Sequence, residues 1–270
     1  MSRAGAPPRI SLVVSTYNQT EALDGVLDRV LRLSVPPAEI LVADDGSGPA
    51  TASLLKAWRP RAPLRLEHLW QEDHGFRKTR ILNRALAAAT GDYVVFLDGD
   101  CLPAPRFIED HGRLAEPGCF VQGRRAFVKE QHVGALLAGR TTLRKLMLGG
   151  GVQGLAKALR FPAPWVRRNR SQRGLIGCNL GVWRADLVRV NGFDEEFVGW
   201  GGEDSDLGTR LYHLGLMRKM VYGRALVYHL NHPRRSAGYA PGNLERLRRT
   251  QESGRVRCER GLDLHLPESP

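Results

Sequence analysis

The stretch Gly91-Asp92-Tyr93-Val94-Val95-Phe96-Leu97-Asp98-Gly99-Asp100 decides the fold. Its apolar run, Tyr93 to Leu97, is β-branched and aromatic, has strand length, and shows no alternation, so it reads as a strand buried on both faces. Such strands lie inside parallel sheets. The run stops abruptly in Asp98-Gly99-Asp100, and in open α/β sheets ligands bind where strands end at their carboxyl side.

Working towards the N-terminus, the same grammar repeats. Ile10 to Ser15 is a second apolar strand, closed by Thr16-Tyr17-Asn18. Leu23, Val26, Leu27, Val30 and Leu31 follow at helical spacing. Glu39 to Ala43 is a strand ending at Asp44-Asp45-Gly46-Ser47. A short helix over 50–58, a strand over 64–69 and a helix over 77–89 complete a series that alternates strand and helix, the form of a Rossmann-like, mostly parallel α/β sheet with flanking helices. Beyond residue 119 the spacing predicts strands at Phe120–Val128, Asn179–Trp183 and Met220–Leu230, and a helix over 203–214. The expected organisation is an N-terminal extension (1–9), a catalytic domain (10–232, with halves 10–100 and 101–232) and a basic, arginine-rich C-terminal tail (233–270).

The composition narrows the classes. The 270 residues are 42% hydrophobic and 25% charged, which excludes wholesale disorder. No apolar run approaches the ~18 residues of a membrane span. Met1 to Pro8 carries no apolar core of a secretory signal, and Cys101, Cys119, Cys178 and Cys258 are scattered without a C-x-x-C pair, so the expectation is a cytoplasmic chain with reduced thiols. A net charge of +12 calls for an anionic partner. Nucleic acid is disfavoured, because no RNP, KH or zinc-finger pattern accompanies the charge. Gly149 to Gly154 fits a dinucleotide fingerprint literally but follows no strand, and is set aside.

Three polar strand ends remain: Thr16-Tyr17-Asn18, Asp44-Asp45 and Asp98-Gly99-Asp100. Adjacent carboxylates repel, and a bound cation removes the repulsion. Each alone also fits an ordinary turn. Arg77-Lys78-Thr79-Arg80 opens a helix with three cations, which the helix dipole disfavours unless an anion binds there; a solvated basic face is the competing reading. At 100° per residue, Glu203 and Asp204 project within about 80° of the Leu207/Leu211/Leu214 stripe, whereas Asp206 points further from it. Gly199-Trp200-Gly201-Gly202 supplies a flexible backbone and an aromatic platform just ahead of these acids. His229 and His232, at the end of the last strand, suit a divalent ion alongside carboxylates.

These residues together resemble glycosyltransferase family 2, enzymes of the GT-A fold that use nucleotide-diphosphate sugars. Val13 to Asn18 is similar to the family's opening strand, Val42 to Ser47 to its nucleotide-binding turn, and Gly91 to Asp100 to its DXD strand. Phe193-Asp194-Glu195 with Gly199 to Asp204 resembles the acceptor-side segment of β1,4-galactosyltransferases and chondroitin-polymerase-like enzymes. The resemblance implies that Thr16, Tyr17 and Asp45 meet base and ribose, with Asn18 a further candidate for the donor, and that Asp98 and Asp100 act through a divalent metal (Mn²⁺ or Mg²⁺) and the donor. Arg77, Lys78 and Arg80 join the donor side. Asp204 takes the position of the catalytic base, with Glu203 beside it. His229 most resembles the metal-binding histidine, with His232 as the open alternative. The implied reaction is inverting transfer from a UDP-type sugar to a glycan or lipid-linked acceptor, of the bacterial surface-polysaccharide kind. A sugar nucleotidyltransferase and a non-catalytic nucleotide-sugar-binding module are the rivals. Leu136 to Arg173 mixes leucines, arginines, Phe161 and Trp165; a peripheral contact with an anionic membrane face and a core-packed helix with a solvated basic loop both fit it.

Overall fold

A computed structural model describes residues 7–154, 156, 159–162, 165–232 and 239–267. The main sheet has eight strands in the order β3-β2-β1-β4-β10-β6-β11-β9. Its first four, β1 (Ile10–Thr16), β2 (Glu39–Asp44), β3 (Arg65–Trp70) and β4 (Tyr93–Asp98), are parallel. The parallel run ends where β10 (Asn179–Trp183) pairs antiparallel with β4, and β6 (Cys119–Gln122), β11 (Met217–Tyr222) and β9 (Trp165–Asn169) complete a mixed sheet.

Both faces of β1, β2 and β4 are covered, which is why these strands are almost wholly apolar, whereas the edge strands β3 and β9 carry charged residues. Leu12, Val14, Ile40, Val42, Val95 and Leu97 face helices α1 (Thr20–Leu31) and α2 (Pro49–Trp58). Val13, Leu41, Val94 and Phe96 alternate to the other face, against α3 (Lys78–Ala88). The strand ends Thr16, Asp44 and Asp98 therefore emerge side by side, Thr16 opposite Asp44 and Ser15 opposite Asp98.

Two expected strands are each divided. The Phe120–Val128 run breaks at Gly123 into β6 and β7 (Arg124–Val128), and the Met220–Leu230 run breaks over 223–225 into β11 and β12 (Leu226–Leu230). In each pair the second strand leaves the main sheet for a smaller one, ordered β5-β12-β7-β8, with β5 (Cys101–Pro103) and β8 (Val152–Gln153). The crossing is tight: a Cβ on Gly123 would lie 2.4 Å from the Ala225 carbonyl oxygen. Asn179 stitches the corner, donating Nδ2 to the carbonyls of Arg124 and Ala225.

The Leu136 to Arg173 stretch is not one amphipathic helix. It contains the end of α5 (Glu130–Leu137), α6 (Leu143–Leu148), β8 and β9, and Leu136, Leu143 and Leu146 are buried in the core. Among the described residues, α4 (Phe107–Leu114) precedes α5 and α6, and the later α-helices are α7 (Arg184–Arg189), α8 (Glu203–His213) and α9 (Asn243–Ser253).

Over 239–267 the expected tail is part of the packed body. Asn243 donates Nδ2 to the carbonyls of Gly201 and Val198, Leu262 is buried against α3, and Asp263 and His265 bond Asn191 and Glu195. This packing also reverses the reading of Asp206. α9 covers the helix face away from the leucine stripe, so Asp206 and Arg210 are both fully buried as an ion pair. Thr250 donates to Asp206 Oδ1 at 2.7 Å, and Arg210 donates to the carbonyls of Val190 and Gly192. Breaking a buried pair leaves an uncompensated charge, at about 3–5 kcal/mol. Asp206→Ala is accordingly expected to cost that much in urea denaturation; a loss under 1 kcal/mol would show the charge is solvated.

Candidate active site

At the carboxyl edge of the parallel strands, Asp45 is buried where β2 ends. Its Oδ1 accepts from Gln71 Nε2 at 2.6 Å and its Oδ2 from the Arg77 backbone N–H at 2.9 Å. Burial pushes its pKa up, against these hydrogen bonds. Thr16 Oγ1 is buried with no hydrogen-bond partner among the described residues. Tyr17 donates its hydroxyl to Asp73, and Asn18, at φ 50°, ties the first strand end to the second by bonds to Ser47 and Gly48. Thr16, Tyr17, Asn18 and Asp45 thus line one edge, as their strands require.

The three cations heading α3 diverge. Lys78 Nζ reaches Asp98 Oδ1 at 2.7 Å, where the Ser15 hydroxyl also donates. Burial opposes the Lys78 charge, but Asp98, then Asp204 and Glu203, outweigh it and hold the ammonium far above its ordinary range. Arg77 donates to the Glu72 carbonyl, and together with Arg80 and Arg260 it lines another cavity. Lys78 is therefore the centre of a carboxylate cluster, a role its place in a basic run did not suggest.

α8 begins beside it. Gly202, at φ 96°, is its N-cap, and Asn243 fixes the loop before it. Asp204 Oδ2 accepts the Gly177 N–H at 2.6 Å. A Cβ at Gly177 would lie 2.2 Å from Asp204 Oδ1, so glycine is what admits the carboxylate. Glu203 is buried, with no hydrogen-bond partner for its Oε2 among the described residues, whereas Asp204 is partly exposed. Burial and then Asp204 push Glu203 up to about 7, and burial likewise raises Asp204.

A carboxyl raised on folding favours its neutral form, so its stabilising contribution is present below its ordinary 4.5 and is lost as pH climbs towards 7. Glu203→Gln keeps the neutral form throughout. Guanidinium denaturation should find this variant gaining on the native chain between pH 4.5 and pH 8; an unchanged difference would mean that Lys78 fully compensates the ionised acid.

On the other side of the DXD turn, β12 runs antiparallel to β5 with His229 opposite Cys101, next to Asp100. Asp100 Oδ2 lies 3.5 Å from His229 Nε2 and 3.2 Å from His232 Nε2. Ligand atoms of the three residues lie within 4.8 Å of one another. Both histidines, not one of them, face Asp100, while Asp98 stands outside this cluster, held by Lys78 and Ser15. The donor set of one carboxylate and two imidazoles suits a divalent ion of the Mn²⁺ type. Burial lowers the pKa of His229 and favours the neutral imidazole that ligates. A second cavity, lined by Asn18, Thr20, Asp100, Leu230 and His232, opens directly onto this cluster.

Sheet order, with carboxylates at the ends of the parallel strands, defines the GT-A class of α/β fold. Residues 11–160, more than half of the chain, match glycosyl transferase family 2, and residues 161–233 match the N-terminal domain of galactosyltransferase. The chain belongs to glycosyltransferase family 2.

It is 28% identical over 233 residues to validoxylamine A glucosyltransferase of Streptomyces hygroscopicus subsp. limoneus, covering 77% of this chain and 49% of that protein. With chondroitin synthase of Escherichia coli it shares 25% identity over 242 residues, 83% of this chain and 35% of the synthase. The chain thus spans half or less of the length of these relatives. Among solved structures, mannosyltransferase PcManGT from Pyrobaculum calidifontis in complex with GDP-Man and Mn²⁺ is similar at TM-score 0.58 and 20% identity, over 93% of this chain and 70% of that one. S. aureus TarS 1-349 in complex with UDP is similar at TM-score 0.62 and 16% identity, over 95% of this chain and 68% of that one. These structural likenesses establish the fold.

Proposed function

We propose that the protein transfers a sugar from a nucleoside-diphosphate donor, UDP-linked, to a hydroxyl of a glycan or lipid-linked glycan in surface-polysaccharide assembly, with inversion at the anomeric carbon. The observation that carries this reading is the partly exposed Asp204, fixed by the Gly177 N–H beside Lys78 and Asp98. In this reading Thr16, Tyr17, Asn18 and Asp45 take the base and ribose, and Asp100 with His229 and His232 holds a divalent ion. The ion would supply charge stabilisation for the departing nucleoside diphosphate.

Asp204 removes the acceptor's hydroxyl proton while that oxygen bonds to the anomeric carbon and the bond to the diphosphate oxygen breaks. One displacement inverts the centre. Glu203 is buried beside Asp204 and its Oε2 has no hydrogen-bond partner among the described residues, so it suits a hydrogen bond to a sugar hydroxyl, while the more exposed Asp204 suits proton removal from an entering acceptor. The direct test is a panel of nucleotide sugars with Mn²⁺, scored for nucleoside-diphosphate release; pyrophosphate release instead would indicate nucleotidyl transfer.

A lipid-linked acceptor would draw the enzyme to a membrane face. Among the described residues no helix is long and apolar enough to cross one. Trp165, 69% exposed, and Phe161 lie near Arg167 and Arg170 in sequence and offer an interfacial anchor. Flotation with anionic liposomes should show binding that fades with salt, because exposed charges are screened over about 10 Å at ~0.1 M. Equal binding to neutral liposomes would overturn it.

A further inference from the structure

A cavity of about 390 Å³ lies where the start of α3 meets the chain after α9. That size falls in the ~300–1,000 Å³ range of small-molecule sites. Three arginines line it, Arg77, Arg80 and Arg260, against a single carboxylate, Glu195. Glu195 is committed through one oxygen: its Oε1 accepts from Asn83 Nδ2 at 2.9 Å and bonds His265 Nε2 at 2.6 Å. Arg77 has one donor on the Glu72 carbonyl, while its Nε is buried without a hydrogen-bond partner among the described residues. Among the described residues no carboxylate pairs with Arg80 or Arg260.

Guanidiniums gathered round a cavity repel one another unless an anion enters, and their forked donors match carboxylate and phosphate. The rest of the wall is His265, held by Glu195, and two open apolar side chains, Val198, 53% exposed, and Leu264, 55% exposed. Cations for an acid beside apolar surface for a ring's C–H face describe an acidic sugar. Val198 leads directly into the 199–202 loop that carries Trp200 and ends at the cap of α8, so the cavity adjoins the acceptor side.

We propose that this cavity is a subsite for an anionic group, carboxylate or phosphate, on the acceptor glycan. The assignment to the acceptor rests on the transferase reading above; the anion site itself does not.

The test follows the arginine Nε–H signals of the full chain by NMR, with UDP and Mg²⁺ saturating, on titration with glucuronic acid, glucose 6-phosphate or glucose. Saturable shifts of Arg80 and Arg260 with either acidic sugar and not with glucose are expected, and the responding arm tells carboxylate from phosphate. In Arg80→Gln/Arg260→Gln the affinity for the responding sugar should fall at least ~10-fold, the scale of losing charge-assisted hydrogen bonds. Unmoved signals, an equal response to glucose, or undiminished affinity in the double variant would each overturn the site. Shifts that appear only without UDP would give the cavity to the donor and overturn the acceptor assignment. UDP binding, read from the nucleotide's own signals, reports separately on the transferase reading.

Discussion

Asp204→Asn is expected to lower the sugar-transfer rate by roughly 10²–10⁴-fold, the usual contribution of a positioned base. The substitution keeps the shape and an acceptor oxygen for the Gly177 N–H, so the local fold survives. What disappears is the group that takes the acceptor's proton. Nucleotide affinity should change little, because in this reading Asp204, held by the Gly177 N–H beside Lys78, faces the acceptor and not the nucleotide. The measurement is paired: transfer rate with a working acceptor, and UDP–Mn²⁺ affinity by calorimetry. Near-normal transfer would move the base elsewhere, with Glu203 next. A collapse of UDP affinity would place Asp204 on the nucleotide side.

Asp100→Ala is expected to abolish the divalent-ion dependence of UDP binding. Disturbing only the support of a ligand typically costs ~10–100-fold in metal affinity, so removing the one carboxylate that faces both imidazoles should cost at least as much. His229→Ala and His232→Ala should each lose part of it, since both rings face the same oxygen. Calorimetry of UDP with Mn²⁺ and with EDTA decides the matter. Undiminished metal dependence in Asp100→Ala would shift the ion towards Asp98, and a loss confined to one histidine variant would leave the other as a neighbour only.

The strands and their polar ends were legible because the signal is local. An apolar run and the acid that stops it lie within ten residues, and burial of both sheet faces allows no other pattern. The same locality exposed Asp98, Asp100, Glu203 and Asp204. It failed for Lys78, which reads as one of three equivalent cations until Asp98 is brought against it from the next strand. It also failed at residues 120–128 and 220–230, where each apolar run looks continuous although a corner divides it between two sheets.

By itself the sequence determined the α/β core and the acids at the strand ends, since each follows from side-chain period or from residues adjacent in the chain, and its motifs carried the resemblance to the family. Only the tertiary structure decided that both His229 and His232 face Asp100, across a strand pair joining segments more than a hundred residues apart. It alone decided that Asp206 is buried and structural, because the second wall of its pocket is α9, some forty residues further on. A helical wheel knows one helix. Whether an acid on the far face meets water or an arginine depends on what the rest of the chain lays over it, and here the stretch with the weakest apolar periodicity does the covering.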